Sequence, residues 1–574
     1  MKTKILAIFL ALIAIEGKMY AEDYPHVKIG DLYYYLNGTN KTASVTFDYN
    51  SYAGLINAVI PSSVSYNNIA YSVIRIEGGA FEYCKSLTSV TINAAEIGGR
   101  AFNNCRGLTS VTIGENVSSI ETNAFAACVN LETVTINSSS IISDGDEYTT
   151  RGKIEICGLG RFPKEYIIGE NITRIGNRAF SKCSAMTSVT IPNSVTNISA
   201  YAFEYCENLA SVAIPNSVTS IGDCAFNECR SLASVTIPNS VTSIGWGAFR
   251  SCTSLDSVTI PNSITSIEDE MFFECLQLTS VTIPNSVTSI GAAAFASCAL
   301  PSVTIPNSVT SIGAQAFYGC ERLTSMTIPN SVTSIGEHAF FSCKSLKSIA
   351  IPNGVTSIEA YTFMYCDSLA SVTIPNSVTV IDSQAFYACG LESVTIPSSV
   401  NFIQVSAFEY CSLLKSVTIE AETPPTSGEN AFDYTYCPIY VPCGSVDVYK
   451  SAWSKYADRI KGNCASITIT FVNWNGSTLL TLNVAEGDVP QYIGITPTRP
   501  EDEEYTYTFI GWSPEIVPAT EDATYIATYE ATPKSQDIEE TLSAKTKNAK
   551  FMRNGQLLIE TNGKIYNVIG AGVK

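Results

Sequence analysis

The chain has 574 residues, 34 of them basic and 53 acidic, for a net charge of −19. Charged residues are only 15 % against a usual ~25 %, and mean hydropathy is +0.15, which argues against a disordered chain. The acidic balance repels phosphate backbones, so no nucleic-acid partner is expected, and with His26 and His338 the only histidines, HExxH and His-rich metal sites are excluded.

At the N-terminus, Lys2 and Lys4 precede an apolar run from Ile5 to Ile15, and Ala21 offers a small residue for cleavage. This reads as a secretory signal peptide over residues 1–21. The run is too short to cross a bilayer and no longer one follows, so no transmembrane span is expected. Loss of this segment removes three lysines and one glutamate and leaves −21. Residues 22–75 then predict short strands at Tyr33–Tyr35, Val45–Phe47 and Val59–Ile60, with Asn37-Gly38 as a hairpin turn.

From residue 76 to 436 one pattern recurs. Ala-Phe-x-x-Cys, with Thr or Met sometimes for Ala, carries fourteen phenylalanines from Phe81 to Phe408, Phe203, Phe226 and Phe249 among them. The usual step is 23 residues, and it is 22 into Phe317 and Phe408. A fixed period of this length means a solenoid. In one unit Leu278, Val281, Ile283, Val287 and Ile290 precede Phe295 and Cys298. Val281 and Ile283 alternate with Ser280 and Thr282, which is strand periodicity, and Pro284 ends the strand because it cannot donate to a ladder. No single unit can bury these side chains alone, but stacked units bury them as ladders. About sixteen coils at ~4.8 Å each give an array of roughly 75 Å. Phe125 to Phe180 spans 55 residues where two units need 46, so an inserted surface loop is expected near 138–152.

The pattern L-x-x-V-x-I, a second apolar pair and A-F-x-x-C resembles the BspA-type leucine-rich repeat of bacterial surface proteins. The resemblance covers roughly residues 75–436. It departs from the standard leucine-rich repeat in that Pro-Asn replaces the spaced Asn of the strand turn. It implies a β-rich leucine-rich-repeat solenoid with N- and C-terminal caps, and adhesion to host matrix proteins or other bacteria from a secreted, cell-surface or outer-membrane-associated position.

Residues 437–465, with a short helix over Val446–Tyr456, read as the C-terminal cap. Ile467–Phe471, Phe509-Ile-Gly-Trp-Ser-Pro514 and Tyr525–Tyr529 then resemble the Listeria–Bacteroides repeat, which implies a small β-grasp-like domain over 466–532. Residues 533–548 are a polar linker. In 549–574, Asn554-Gly555 and Asn562-Gly563 predict a β-hairpin tail, similar to the C-terminal sorting segments of Bacteroidetes secreted proteins.

Fourteen of the nineteen cysteines, Cys206, Cys229 and Cys252 among them, share one repeat position and read as a ladder of buried free thiols. Cys437, Cys443 and Cys464 fall outside it and are the disulfide candidates, one of them left over. Outward strand positions are mostly Ser and Thr, a nearly uncharged sheet face. Aromatics recur beside the repeat phenylalanine. Tyr205, Phe273, Tyr318, Phe341, Tyr365, Tyr387 and Tyr410, with Trp246, are the candidate binding residues, either as a stripe for ligand or as padding between coils. No nucleophile, metal or cofactor motif is present, so no catalytic activity and no cofactor are expected. The expected partner is an extracellular protein, or alternatively a glycan held by a surface accessory protein.

Overall fold

The computed structural model describes residues 26–48, 52–142, 154, 158–159, 161–534, 548–553, 556–561 and 564–567. The expected signal peptide, most of the inserted loop and most of the 533–548 linker lie outside these residues. The chain divides into two compact units, one ending at Asn463 and one beginning at Cys464.

The first unit is a solenoid of short parallel ladders, built of about sixteen coils. One coil shows how sequence makes the shape. Ser234–Thr236 is the first strand, paired in register with Ser211–Ala213 of the preceding coil. Pro238 then ends the strand, and its carbonyl accepts the Val241 N–H at 3.0 Å, so Pro-Asn-Ser-Val closes a four-residue turn. Ser243–Ile244 is the second strand, in register with Ser220–Ile221. Gly245–Cys252 turns the chain back. Val235, Ile237, Val241, Ile244, Phe249, Cys252 and Leu255 all point into the interior and are buried. Each of these positions stacks on its counterpart one coil away, so one repeated pattern yields a continuous core.

The repeat phenylalanines form a single row of parallel rings through most of the array. Neighbouring centroids lie 4.9–5.8 Å apart with planes within 13°. The row has one member more than the motif count. Phe432 stacks on Phe408 at 5.3 Å, although its cysteine follows five residues later rather than three. Tyr52 closes the N-terminal end of the row at 4.6 Å from Phe81. Trp453 and Tyr456 close the other end against Phe432, at 5.6 and 5.8 Å. Solenoid ends expose a hydrophobic layer that needs such cover.

At the insertion, strand Thr133–Ile136 pairs directly with Glu165–Ile168, so the first-strand ladder runs through unbroken. The phenylalanine row is the layer that changes. Phe180 meets Tyr166 edge-on at 5.4 Å, and the Tyr166 hydroxyl donates to the Leu159 carbonyl. In the N-terminal segment six strands between His26 and Ile76 build the cap, and Leu32–Asn37 and Thr42–Thr46 form the antiparallel hairpin around Asn37-Gly38. In the C-terminal cap the helix is Val446–Ala452, followed by a 3-10 helix over Ser454–Arg459. Tyr449 and Trp453 donate to the Ala421 and Pro425 carbonyls at 2.7 and 3.1 Å. Cys443 and Cys464 are disulfide-bonded, and Cys437 is the one left as a buried free thiol.

The second unit contains a four-stranded mixed sheet. Ser466–Val472 and Ala523–Pro533 run parallel at its centre, flanked by Thr478–Ala485 and Tyr505–Ser513. The 487–504 segment between the flanking strands holds no helix. Trp512 belongs to its core, 4.6 Å from Phe471 and 4.8 Å from Tyr492. The tail holds three antiparallel strands rather than two, Asn548–Arg553, Gln556–Thr561 and Lys564–Asn567. Among the described residues no helix is long and apolar enough to cross a membrane.

Candidate functional site

The backbone of the Ala-Phe-x-x-Cys segment decides which side chains reach solvent. Two residues per coil are left-handed, one two positions before the phenylalanine and one two positions after it. In one coil these are Tyr201 (φ 58°) and Tyr205 (φ 57°), in another Ala293 (51°) and Ser297 (60°). Interleaving them with right-handed residues turns alternate N–H groups the same way. Tyr201, Phe203 and Tyr205 therefore donate to the Asp223, Ala225 and Asn227 carbonyls of the next coil, at 2.8, 2.8 and 2.9 Å. At the entry to the second strand the bond runs the opposite way, with Thr219 N–H donating back to the Thr196 carbonyl at 2.8 Å.

The cysteine follows from this geometry. The phenylalanine carbonyl is left with room for a further donor, and the thiol of the next coil fills it. Cys206, Cys229 and Cys252 donate to the Phe180, Phe203 and Phe226 carbonyls at 3.2, 3.2 and 3.3 Å. Burial pushes the thiols up, to about 12 for Cys275, Cys320 and Cys411, so they remain protonated. The hydroxyls of Pro-Asn-Ser-Val-Thr are committed in the same way. Ser286 donates to the Ile264 carbonyl at 2.6 Å and Thr288 to the Thr265 carbonyl at 3.1 Å. The serine thus supplies the bond that an asparagine ladder would make, and the hydroxyls that stay open are those on the first strand, such as Ser257 and Thr259.

The side chains one and two residues after each repeat phenylalanine form two outer columns. In the C-terminal half of the solenoid these columns become continuously aromatic. Tyr318 stacks on Phe341 at 4.8 Å and 5°, and Phe341 meets Tyr365 at 5.6 Å and 89°. Tyr365 meets Tyr387 at 5.7 Å, Tyr387 meets Tyr410 at 5.3 Å, and Tyr410 stacks on Tyr434 at 4.3 Å and 6°. Five of the candidate residues are therefore one surface, with Tyr434 as a sixth ring that the motif spacing did not reveal. Tyr365, Tyr410 and Tyr434 are exposed, and the other three are half-buried. Burial raises the Tyr387 hydroxyl, and hydrogen bonding to Tyr434 raises that of Tyr410, so both are neutral donors. His338 stacks on Tyr361 at 4.5 Å beside Phe341, and burial lowers its pKa.

The remaining candidates stand apart from this stripe. Tyr205 has no ring partner among the described residues and is followed in its column by Glu228. Phe273 lies under the Arg250 guanidinium, 4.6 Å from its centroid. Trp246 sits at a different position of its coil, the one held by Asp223 and Asp269 in its neighbours, and is 41 % exposed.

A notch of about 420 Å³ opens at the N-terminal end of the stripe, between Leu276, Tyr318 and Phe341. Its origin is the 22-residue step. Cys298-Ala299-Leu300 lacks one residue of the usual Cys-x-x-Leu, and Ser297 and Gly319 are small. Arg322 on its rim forms no ion pair among the described residues, whereas Glu321 holds Lys344 at 2.6 Å. Among the described residues no three His, Cys, Asp or Glu side chains are placed to hold a metal ion.

Comparison with known proteins places these features in a family. The family described as a BspA type leucine rich repeat region matches residues 59–150, 173–300, 288–415 and 335–439, more than half of the chain. A leucine-rich repeat protein from Bacteroides ovatus, known from its crystal structure, is 26 % identical with a TM-score of 0.50 over 76 % of this chain and 99 % of that one. A leucine rich cell surface protein from Faecalibacterium prausnitzii is 29 % identical over 70 % of this chain and 96 % of that one, with a TM-score of 0.31. A search of the curated proteins finds no match.

Proposed function

Because the chain belongs to the BspA-type leucine-rich repeat family, we propose that it is a secreted cell-surface adhesin that holds an extracellular protein on the aromatic stripe from Tyr318 to Tyr434. The observation that carries this reading is the contact between six rings on six successive coils. Tyrosine offers large, stiff contact area at small entropic cost, and it is over-represented among the residues that dominate binding energy. An isolated exposed ring is ordinary on a protein surface, but an unbroken row is not.

A glycan-binding accessory role is the other reading, and Trp246 is its support, as a partly exposed ring with no ring partner among the described residues. The stripe favours protein over sugar. Sugars stack on open ring faces, whereas Tyr318 and Phe341, and Tyr410 and Tyr434, turn their faces to each other. What such pairs present to solvent is ring edges and hydroxyls, which suit the mixed apolar and polar surface of a protein.

The test is adhesion of cells displaying the full chain to surfaces coated with matrix proteins or with other bacteria. The triple variant Tyr365→Ala/Tyr387→Ala/Tyr410→Ala removes three central rings. At about 1 kcal/mol or more each, binding weakens roughly a hundredfold. Adhesion that survives this variant and is lost with Trp246→Ala would instead establish the glycan reading.

A further inference from the structure

We propose that the stripe takes an arginine-rich segment of its partner, with guanidinium groups lying against Tyr365 and Tyr387, the rings that meet their neighbours edge-on rather than face to face, and pairing with the carboxylates of these coils. This inference rests on the reading of the stripe as a protein-binding surface and names the chemistry it selects.

Two independent observations carry it. The first is what the same face of this fold does with its own arginines. Arg250 lies over the Phe273 ring at 4.6 Å while pairing with Glu270. Arg178 lies over the Tyr201 ring at 4.1 Å. Both pairs sit on the phenylalanine turn, and Phe273 occupies the same column as Tyr318, Phe341 and Tyr387. At Phe273 a ring in this column with a carboxylate nearby is a guanidinium site, which the chain fills with its own Arg250. In the C-terminal half the rings continue, but the internal arginines stop. From Tyr318 to Tyr434 the only arginine is Arg322, at the far end of the stripe.

The second observation is charge. Glu337, Asp367, Glu409 and Glu429 lie on the coils that bear the stripe and form no ion pair among the described residues. Glu409 adjoins Tyr410 in sequence and is close enough to raise the Tyr387 hydroxyl pKa. Across the chain acids outnumber bases by 53 to 34, so a basic segment is also steered toward the surface from a distance. Arginine fits better than lysine, because its planar guanidinium stacks on a ring while its edge bonds a carboxylate. Tyr365 and Tyr387 are 5.7 Å apart, within reach of two alternate side chains of an extended segment, which lie ~6.7 Å apart.

The experiment uses the full chain and a fluorescent peptide of alternating arginine and glycine, with lysine and glutamate versions alongside. Fluorescence anisotropy reads the affinity at low and physiological salt. The arginine peptide is expected to bind, the lysine peptide several-fold more weakly, and the glutamate peptide not at all. The variant Tyr365→Leu/Tyr387→Leu/Tyr410→Leu keeps apolar bulk and removes the π faces, and should weaken the arginine peptide roughly tenfold or more. Glu409→Gln/Glu429→Gln, at two exposed or half-exposed positions, should flatten the salt dependence. Tyr205→Leu, outside the stripe, should change nothing. Equal binding of the arginine and lysine peptides, or undiminished binding to the leucine variant, overturns the inference. If the peptide fails to bind while the alanine variant still loses adhesion, the arginine inference falls and the adhesin reading stands. If the peptide binds the stripe and adhesion is indifferent to the variant, the arginine site stands and the adhesin reading falls.

Discussion

Replacing Phe295 with alanine probes how the solenoid holds together. Its ring is fully buried and lies between Phe272 at 5.6 Å and Phe317 at 5.5 Å. Truncating a buried phenylalanine costs about 3–5 kcal/mol, and the upper part of that range applies because two stacked neighbours each lose a face. The loss falls on the two interfaces that this coil makes, since in a repeat array each unit contacts only its neighbours. Amide hydrogen exchange, read along the chain by mass spectrometry, separates local from global effects. A loss of ~4 kcal/mol raises exchange roughly a thousandfold where local opening governs it. The amides of the 272, 295 and 317 coils should therefore lose protection, while those near Phe102 and in the cap around Tyr449 keep theirs. An even loss from Phe81 to Phe432 would refute nearest-neighbour coupling, and an unchanged profile would refute the burial argument.

Three further expectations follow from the ladders. At pH 8 iodoacetamide should leave the repeat thiols unmodified in the folded chain and alkylate them all in urea, because Cys275, Cys320 and Cys411 have pKa values near 12 and no exposure; native labelling of Cys275 would contradict the ladder. Ser286→Ala removes the donor to the Ile264 carbonyl and should cost about 1 kcal/mol, seen as a lower urea midpoint, whereas loss of the open hydroxyl in Ser257→Ala should be close to neutral. Glu121 is held below the ordinary carboxylate range by its bond to Arg75 at 2.5 Å. A depressed folded pKa contributes stability above the unfolded value near 4.3, and that contribution is lost as pH falls through the folded value. Arg75→Gln should therefore lower the melting temperature at pH 7 and make no difference well below pH 4, with an effect under ~1 kcal/mol because the pair is half exposed; an equal difference at both pH values would contradict the linkage.

The periodic parts of the fold were legible because each core position repeats and each repeat carries its own punctuation. Val235, Ile244 and Phe249 could be placed inward from spacing alone, and Pro238 marked the end of a strand. Phe432 escaped because two extra residues before Cys437 broke the motif that located the others. The role of the cysteines as donors was also hidden. It depends on left-handed residues such as Tyr205 and Ser297, whose identities vary so widely that no sequence signal marks them. The stripe was half visible. Spacing could place Tyr318 and Tyr410 beside the repeat phenylalanine, but not show that contact is continuous only where every coil supplies a ring. Tyr205, Phe273 and Trp246 share the composition and lack that continuity. In the second unit no repeat was available, and alternation placed the strand at Ile467–Phe471 while the irregular 487–504 segment carried no pattern.

The most direct test of the stripe is site-specific photo-cross-linking on intact adhering cells. A photoreactive phenylalanine analogue is placed in turn at Tyr365 on the stripe, at Ser257 on the sheet face and at Trp246. Adducts with the coated protein should form from position 365 and not from the other two. Adducts from Ser257 or Trp246 with none from Tyr365 would place the partner on another surface and contradict the account.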